Sequence, residues 1–258
     1  MDELELSVKS ILGNRLLTSI ECNGLYIPSS EITEYCGRYS NPALYYDENF
    51  GTFGLSRGGS ATYVTYRSRY FVITSKHQQR KLNADYKTFC VHNTERSNFI
   101  TSHSVHFPLN DPEENHDFLV YEFTDAVNDG ALSQHIWFDI NRQDFAQPTI
   151  KPNFVITVGF PAHRASIIYE EDRYTRAPNA VIGKECPPTI SNRLCFAPIE
   201  QIKFDPKGMS GAPVFGIVLE DLKYSLFFAG IVTEANTKKF HFYKARHILR
   251  MVEKASHS

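Results

Sequence analysis

The chain has 258 residues, with 27 Lys and Arg against 29 Asp and Glu, a formal net charge of −2. Hydrophobic residues make up 42% and charged residues 22%, proportions that argue against a disordered or fibrous chain. The near-neutral balance argues against a dedicated nucleic-acid binder, which is usually basic overall, while leaving room for a local basic patch. The length suits one large domain or two small ones with a sizeable core.

Five cysteines occur, Cys22, Cys36, Cys90, Cys186 and Cys195. Their odd number and the absence of CxxC lead us to expect free thiols in a reducing compartment. The opening MDELELSVKSIL is acidic and lacks a long apolar run, and no N-x-[ST] acceptor occurs. No stretch approaches the ~18 apolar residues of a membrane span. A cytoplasmic location with neither membrane nor nucleic acid as partner is the resulting expectation.

In chain order, residues 2–20 allow a helix. Residues 29–50 are polar and rich in Tyr and turn residues, and read as an irregular lead-in. Short alternating or apolar runs follow at 61–75, 117–123, 154–160, 212–219 and 224–233, rich in Val, Ile, Thr, Tyr and Phe. Such side chains suit half-buried, pleated surfaces, so these runs read as strands. The weakest strand signal, DAVNDGALSQH at 125–135, marks a boundary between two halves. In Tyr243–Ala255, the residues Ala245, Ile248, Leu249 and Val252 recur at helical spacing, which predicts one apolar helix stripe. Lys244, Arg246, Arg250 and Lys254 form its solvated face. The fold class expected is all-β, barrel or sandwich, with a C-terminal helix.

The strongest local motif is Lys207-Gly208-Met209-Ser210-Gly211-Ala212-Pro213 ahead of an apolar run. Glycines on either side of Ser210 let backbone approach a substrate closely. The N–H groups of Gly208 and Ser210 are placed to converge on a developing oxyanion. Read alone, the motif fits a Gly-rich turn equally well. A serine needs a base, and His77 directly follows the buried-looking strand Tyr70–Lys76, where a rigid element holds it. Asp117, at the head of the apolar run 117–123, needs a hydrogen-bond partner and suits the orienting role.

The order His77…Asp117…Ser210 is that of one peptidase type among several. At these residues the chain resembles the trypsin-like, chymotrypsin-fold serine peptidases. Gly58-Gly59-Ser60-Ala61 with Phe71–His77 resembles the family's GGS…WVVSAAH region, and Asp117-Phe118-Leu119-Val120 its D-[IL]-A-[VL] segment. Gly208–Pro213 with Gly230-Ile231-Val232-Thr233 resembles GDSGGP followed by GIVS, and Gly159-Phe160-Pro161 resembles a strand end of the second half. The match covers roughly residues 50–255.

The resemblance implies two antiparallel six-stranded barrels with the active site between them. The implied division is an N-terminal extension at 1–45, a first barrel at 46–128, a second at 129–242 and a helical end at 243–258. It implies a serine endopeptidase that needs no cofactor. His77 would move the proton of Ser210, Asp117 would hold the tautomer, and Gly208 and Ser210 would form the oxyanion hole. The pocket would fall near Phe204 and Asp205, with walls at Thr233, Glu234, Ala235 and His241. Met209 stands where secreted members carry an acid, and Gln78 where they carry a disulfide cysteine. Both departures resemble intracellular, HtrA-like or viral members. Narrow specificity or gating by a regulatory protein partner is the further expectation.

A metal site is not expected. Cys90-x-His92 and His103-x-x-His106 do not match structural zinc spacing, and strand geometry would send His103 and His106 to opposite faces. The competing functional class is a silent trypsin fold that binds or senses. A third reading, an unrelated β-sandwich interaction protein, would make all three motifs coincidental.

Overall fold

Strands form where the β-branched and aromatic runs lie. In a computed structural model, residues 18–47, 54–93, 98–107, 116–141, 151–168, 173–188 and 193–257 are described. The described residues open with β1 (Ser19–Cys22), β2 (Leu25–Pro28) and helix α1 (Ile32–Gly37). A first group of strands follows: β3 (Ser40–Tyr46), β4 (Leu55–Tyr66), β5 (Arg69–Ser75), helix α2 (Lys76–Leu82), β6 (Phe89–Asn93), β7 (Asn98–Thr101), β8 (Ser104–His106) and β9 (Phe118–Glu122). Helix α3 (Thr124–Asn128) and β10 (Phe138–Asp139) lead to the second group. That group holds β11 (Phe154–Gly159), β12 (Ala165–Ile168), β13 (Arg173–Arg176), β14 (Asn179–Cys186), β15 (Arg193–Pro198), β16 (Pro213–Glu220), β17 (Lys223–Ala235) and β18 (Phe240–Lys244). Helix α4 (Ala245–Ala255) ends it.

The second group closes on itself in the order β16-β11-β14-β15-β18-β17, with β17 returning to β16. Closure leaves few unpaired backbone edges. The first group runs β7-β6-β3-β4-β5-β9-β8, with β10 parallel to β4. Among the described residues no pairing joins β7 to β8, so this unit is a curled half-barrel. The expected all-β, chymotrypsin-like architecture is present, with one unit closed and the other open.

The N-terminal segment does not stand apart. β1 adds in parallel to β17, and β2 pairs with β1. Ile20, Ile32, Tyr35 and Tyr39 join the core that both units share, together with Phe71, Phe138, Phe215 and Phe228. Residues 29–50 read as irregular because Tyr counts as polar in a local pattern. Here Tyr35, Tyr39 and Tyr45 are core: Tyr39 meets Phe138 edge-on, and Tyr45 meets Phe89. Strand β3 begins at Ser40, ahead of the expected boundary at 46, and β10 returns to the first sheet beyond the expected boundary at 128. The helix expected over 2–20 lies mostly outside the described residues, and Ser19–Ile20 belong to β1. Helix α4 buries Ala245, Ile248, Met251, Val252 and Ala255, the expected stripe extended by one turn.

The expectation of five free thiols is corrected. Cys186 and Cys195 face each other across β14 and β15 and are joined by a disulfide. A hairpin brings them together at a spacing that no CxxC pattern reveals. Cys22, Cys36 and Cys90 remain as buried thiols. Burial pushes Cys22 up to about 11 and Cys90 up to about 12, so these thiols stay protonated and unreactive. The cysteine pattern thus no longer argues for a reducing compartment. Among the described residues no helix is long and apolar enough to cross a membrane.

Candidate active site

The end of β5 and the start of β9 are neighbours, with Ser75 opposite Phe118. That register places Asp117, one residue before β9, beside the first turn of α2. The Lys76 N–H donates to the Asp117 carbonyl at 3.1 Å. The His77 N–H donates to Asp117 Oδ1 at 2.8 Å, and His77 Nδ1 hydrogen-bonds Asp117 Oδ2. With a carboxylate as acceptor, Nδ1 carries the proton and Nε2 is the basic nitrogen. The side chains of His77 and Asp117 are 26% and 14% exposed. Arg80, one turn along α2, brings its guanidinium to 3.7 Å from Asp117 Oδ1. From β18, Tyr243 Oη accepts the Asp117 N–H at 3.2 Å.

Ser210 lies on a tight loop between Pro206 and Pro213. The Met209 N–H donates to Pro206 O at 2.9 Å and the Ala212 N–H to Met209 O at 3.0 Å. Gly208 has φ +99°, and a Cβ there would stand 2.7 Å from Ala162 N, so only glycine fits. Met209 is fully buried beside Val155, Val181 and Phe196. The residue before the serine thus anchors the loop by apolar packing. Among the described residues, no protein acceptor takes the N–H of Gly208 or of Ser210. The Ser210 hydroxyl donates to Thr233 O at 3.0 Å. A register shift between Val232 and Glu234 marks a bulge at this point of β17, a device that re-aims backbone and side chains.

The first sheet grips this loop. The Ser60 N–H donates to Ser210 O at 3.0 Å, and Ser60 Oγ donates to Gly208 O at 2.8 Å. Thr62 Oγ1 donates to Gly211 O at 2.7 Å. The buried Gln78 amide also donates to Ser210 O. Ser60, Thr62 and Gln78 escaped the sequence reading as working residues. Ser60 and Gln78 were visible only as points of likeness and departure, because their partners lie far along the chain.

His77 and Ser210 line one cleft of about 350 Å³, together with Gln78 and Gly208. Of the expected pocket residues, Asp205, Thr233, Glu234 and Ala235 line it. Phe204 and His241 are not among its lining residues. Phe204 packs against the core of the second barrel, its ring centroid 6.2 Å from that of His163. His241 is buried on β18 opposite Cys195, pairing with Glu234 through backbone register. Local spacing could not resolve these positions, because the β17 bulge shifts the register opposite His241 and Phe204 lies in a loop with no strand alternation.

His103 and His106 do not diverge as expected: each places a ring nitrogen 3.5 Å from Glu122 Oε2. His103 precedes β8, so strand alternation does not apply to it. Arg69 forks onto both Glu122 oxygens at 2.6 and 2.7 Å, and Thr124 Oγ1 donates at 2.7 Å. Burial raises the Glu122 pKa, but the bonds from His106, Arg69 and Thr124 outweigh it and hold the carboxyl well below its ordinary value. Among the described residues no group of three or more metal-ligating side chains is arranged to hold an ion.

No family model and no curated protein sequence matches the chain. Solved structures do. A mutant of human heparin binding protein (CAP37) superposes with a TM-score of 0.56 at 12% identity, over 86% of this chain and 94% of that one. Human heparin binding protein itself gives 0.55 at 10% identity, over 85% and 92%. At such identities the likeness speaks to architecture: the closed barrel, the curled half-barrel and the C-terminal helix make this a chymotrypsin-like fold.

Proposed function

We propose that the chain is a serine endopeptidase that uses His77, Asp117 and Ser210. The observation that carries this reading is a single cleft holding an imidazole bonded to Asp117 and a serine between two glycines. Among the described residues, the N–H groups of Gly208 and of Ser210 itself have no protein acceptor. In this reading Ser210 Oγ leaves Thr233 O for His77 Nε2. His77 takes its proton as the oxygen attacks the scissile carbonyl, and Asp117 stabilises the imidazolium. The oxyanion receives the Gly208 and Ser210 N–H groups. His77 then protonates the leaving amine, and water releases the acyl group by the reverse sequence. Met209 offers no carboxylate to pair with a cut N-terminus, which supports an enzyme without that activation step. Narrow or partner-gated activity is part of the proposal, and broad casein degradation by the isolated chain would overturn that part.

A second reading has a specific observation behind it. The Ser210 hydroxyl rests on Thr233 O, and the structural neighbours are named for binding, as heparin binding protein. Both suit a silent fold that binds without cutting. A fluorophosphonate probe separates the two. Covalent labelling of the wild-type chain that disappears in Ser210→Ala supports the peptidase. Absence of labelling in the wild type, or labelling that persists in the variant, overturns it.

A further inference from the structure

The cleft has two walls of different charge. The first-sheet wall consists of the start of β4 and helix α2, and the charged residues it contributes are Arg57 and Lys81. Helix α2, KHQQRKL, contains no acid, and its Arg80 lies next to Asp117. The second-barrel wall contributes Asp205, Lys207 and Glu234. On that wall Asp205 accepts the Lys207 N–H at 3.0 Å, and Glu234 sits 3.6 Å from Arg193. One wall is cationic, and the other is mixed and partly neutralised from within.

Chemistry says which part of a peptide meets which wall. His77 belongs to the first-sheet wall and would hand its proton to the departing amine, so the segment C-terminal to the scissile bond leaves across that wall. The acyl half has a different platform. β16 pairs with β17 only as far as Ile231 and Val232 bonds Gly211 and Ala212, which leaves the 233–235 stretch of that edge without a strand partner there among the described residues. An extended peptide can add to such an edge, beside Glu234 and away from Arg57 and Lys81.

We propose that the cleft selects peptides with Asp or Glu in the segment C-terminal to the scissile bond, through Arg57 and Lys81. The selectivity rests on the peptidase reading for its direction along the chain, and on the cationic wall alone for binding. Arg57 is held in place: its Nη2 donates to Pro161 O at 3.4 Å across the two units. Lys81 is exposed near the end of α2, so it adds charge to the cleft mouth with little geometric demand.

The test uses the full chain with Ser210→Ala, so that binding is read without cutting. Fluorescent peptides share one N-terminal half and carry acidic, neutral or basic residues in the other. The acidic peptide is expected to bind about two- to fivefold tighter per acidic residue than the neutral one, with the advantage shrinking as salt rises. Adding Lys81→Glu should abolish or invert the order, whereas Lys223→Glu, the same charge change at the distant start of β17, should preserve it. Equal binding of all three peptides, or an order indifferent to Lys81→Glu, overturns the proposal. So does a sulfated polysaccharide that binds tighter than any peptide and loses affinity in Lys81→Glu, because the wall would then serve a polyanion. Fluorophosphonate labelling of the wild type is scored separately. Labelling without acidic preference sinks the selectivity and leaves the peptidase. Acidic preference without labelling sinks the peptidase and leaves an acidic-peptide site.

Discussion

The second barrel pairs β16 with β17 to close its ring, and its core around Met209, Phe196 and Phe240 is apolar. The first sheet ends in β7 and β8 and keeps a buried carboxylate, Glu122, behind the β8 side, gripped by Arg69, His103 and His106. Both units carry an apolar core, the first around Tyr63, Phe89, Tyr121 and Trp137; the second adds closure of its ring, the first a polar network at its open side and contact with its neighbour. An inward charge beside an open strand also disfavours edge-to-edge pairing. The division matters for the site. The self-closed barrel supplies the Ser210 loop, while the open sheet supplies His77, Asp117 and the hydrogen bonds that fix that loop from outside.

This contrast can be broken on each side. The largest effect is expected for Met209→Asp, which restores the acid that the secreted trypsin-like pattern carries. A carboxylate at a fully buried site among Val155, Val181 and Phe196 should destabilise the chain by about 4 kcal/mol, read as the midpoint of urea unfolding. A neutral outcome would mean the loop is not held by packing. Glu122→Gln should cost about 3 kcal/mol by leaving Arg69 with an uncharged partner.

Acid sharpens the same point. The Glu122 carboxyl is held below its ordinary value of 4.5 in the fold. Its stabilisation is therefore complete above that pH and is lost as pH falls below it. Thermal unfolding between about pH 5 and pH 3 should fall more steeply in the wild type than in Glu122→Gln. The smallest effect on stability belongs to Gln78→Ala. It removes one donor to Ser210 O but also a buried Oε1 that has no partner, so the net change should stay near about 1 kcal/mol. Its signature is kinetic: a lower kcat with an unchanged KM for a cleaved peptide. An unchanged kcat would show that Ser60 holds the loop alone.

The sequence made some of these features legible and hid others for a physical reason. Strands β5, β9, β11, β16 and β17 announced themselves because each buries apolar side chains in a local pattern. The residues His77, Asp117 and Ser210 stood out because each adjoins such a run. The Ser60 and Thr62 bonds, the Tyr243 contact to Asp117 and the Cys186–Cys195 bridge are pairings between distant positions, which local composition does not encode. Polar Tyr hid the order at 29–47, the bulge in β17 hid which residues near His241 face the cleft, and Phe204 lies in a loop where local spacing gives no face.

The parallel pairing of β1 with β17 bears on how the chain reaches this state. Ile20 finds its register against Tyr224, so an early segment waits for one of the last strands to exist. Contacts so distant in sequence slow folding, and during synthesis Ile20 lacks its strand partner until the ribosome has delivered β17. The same N-terminal segment that completes the shared core is therefore where a nascent chain would most need a chaperone.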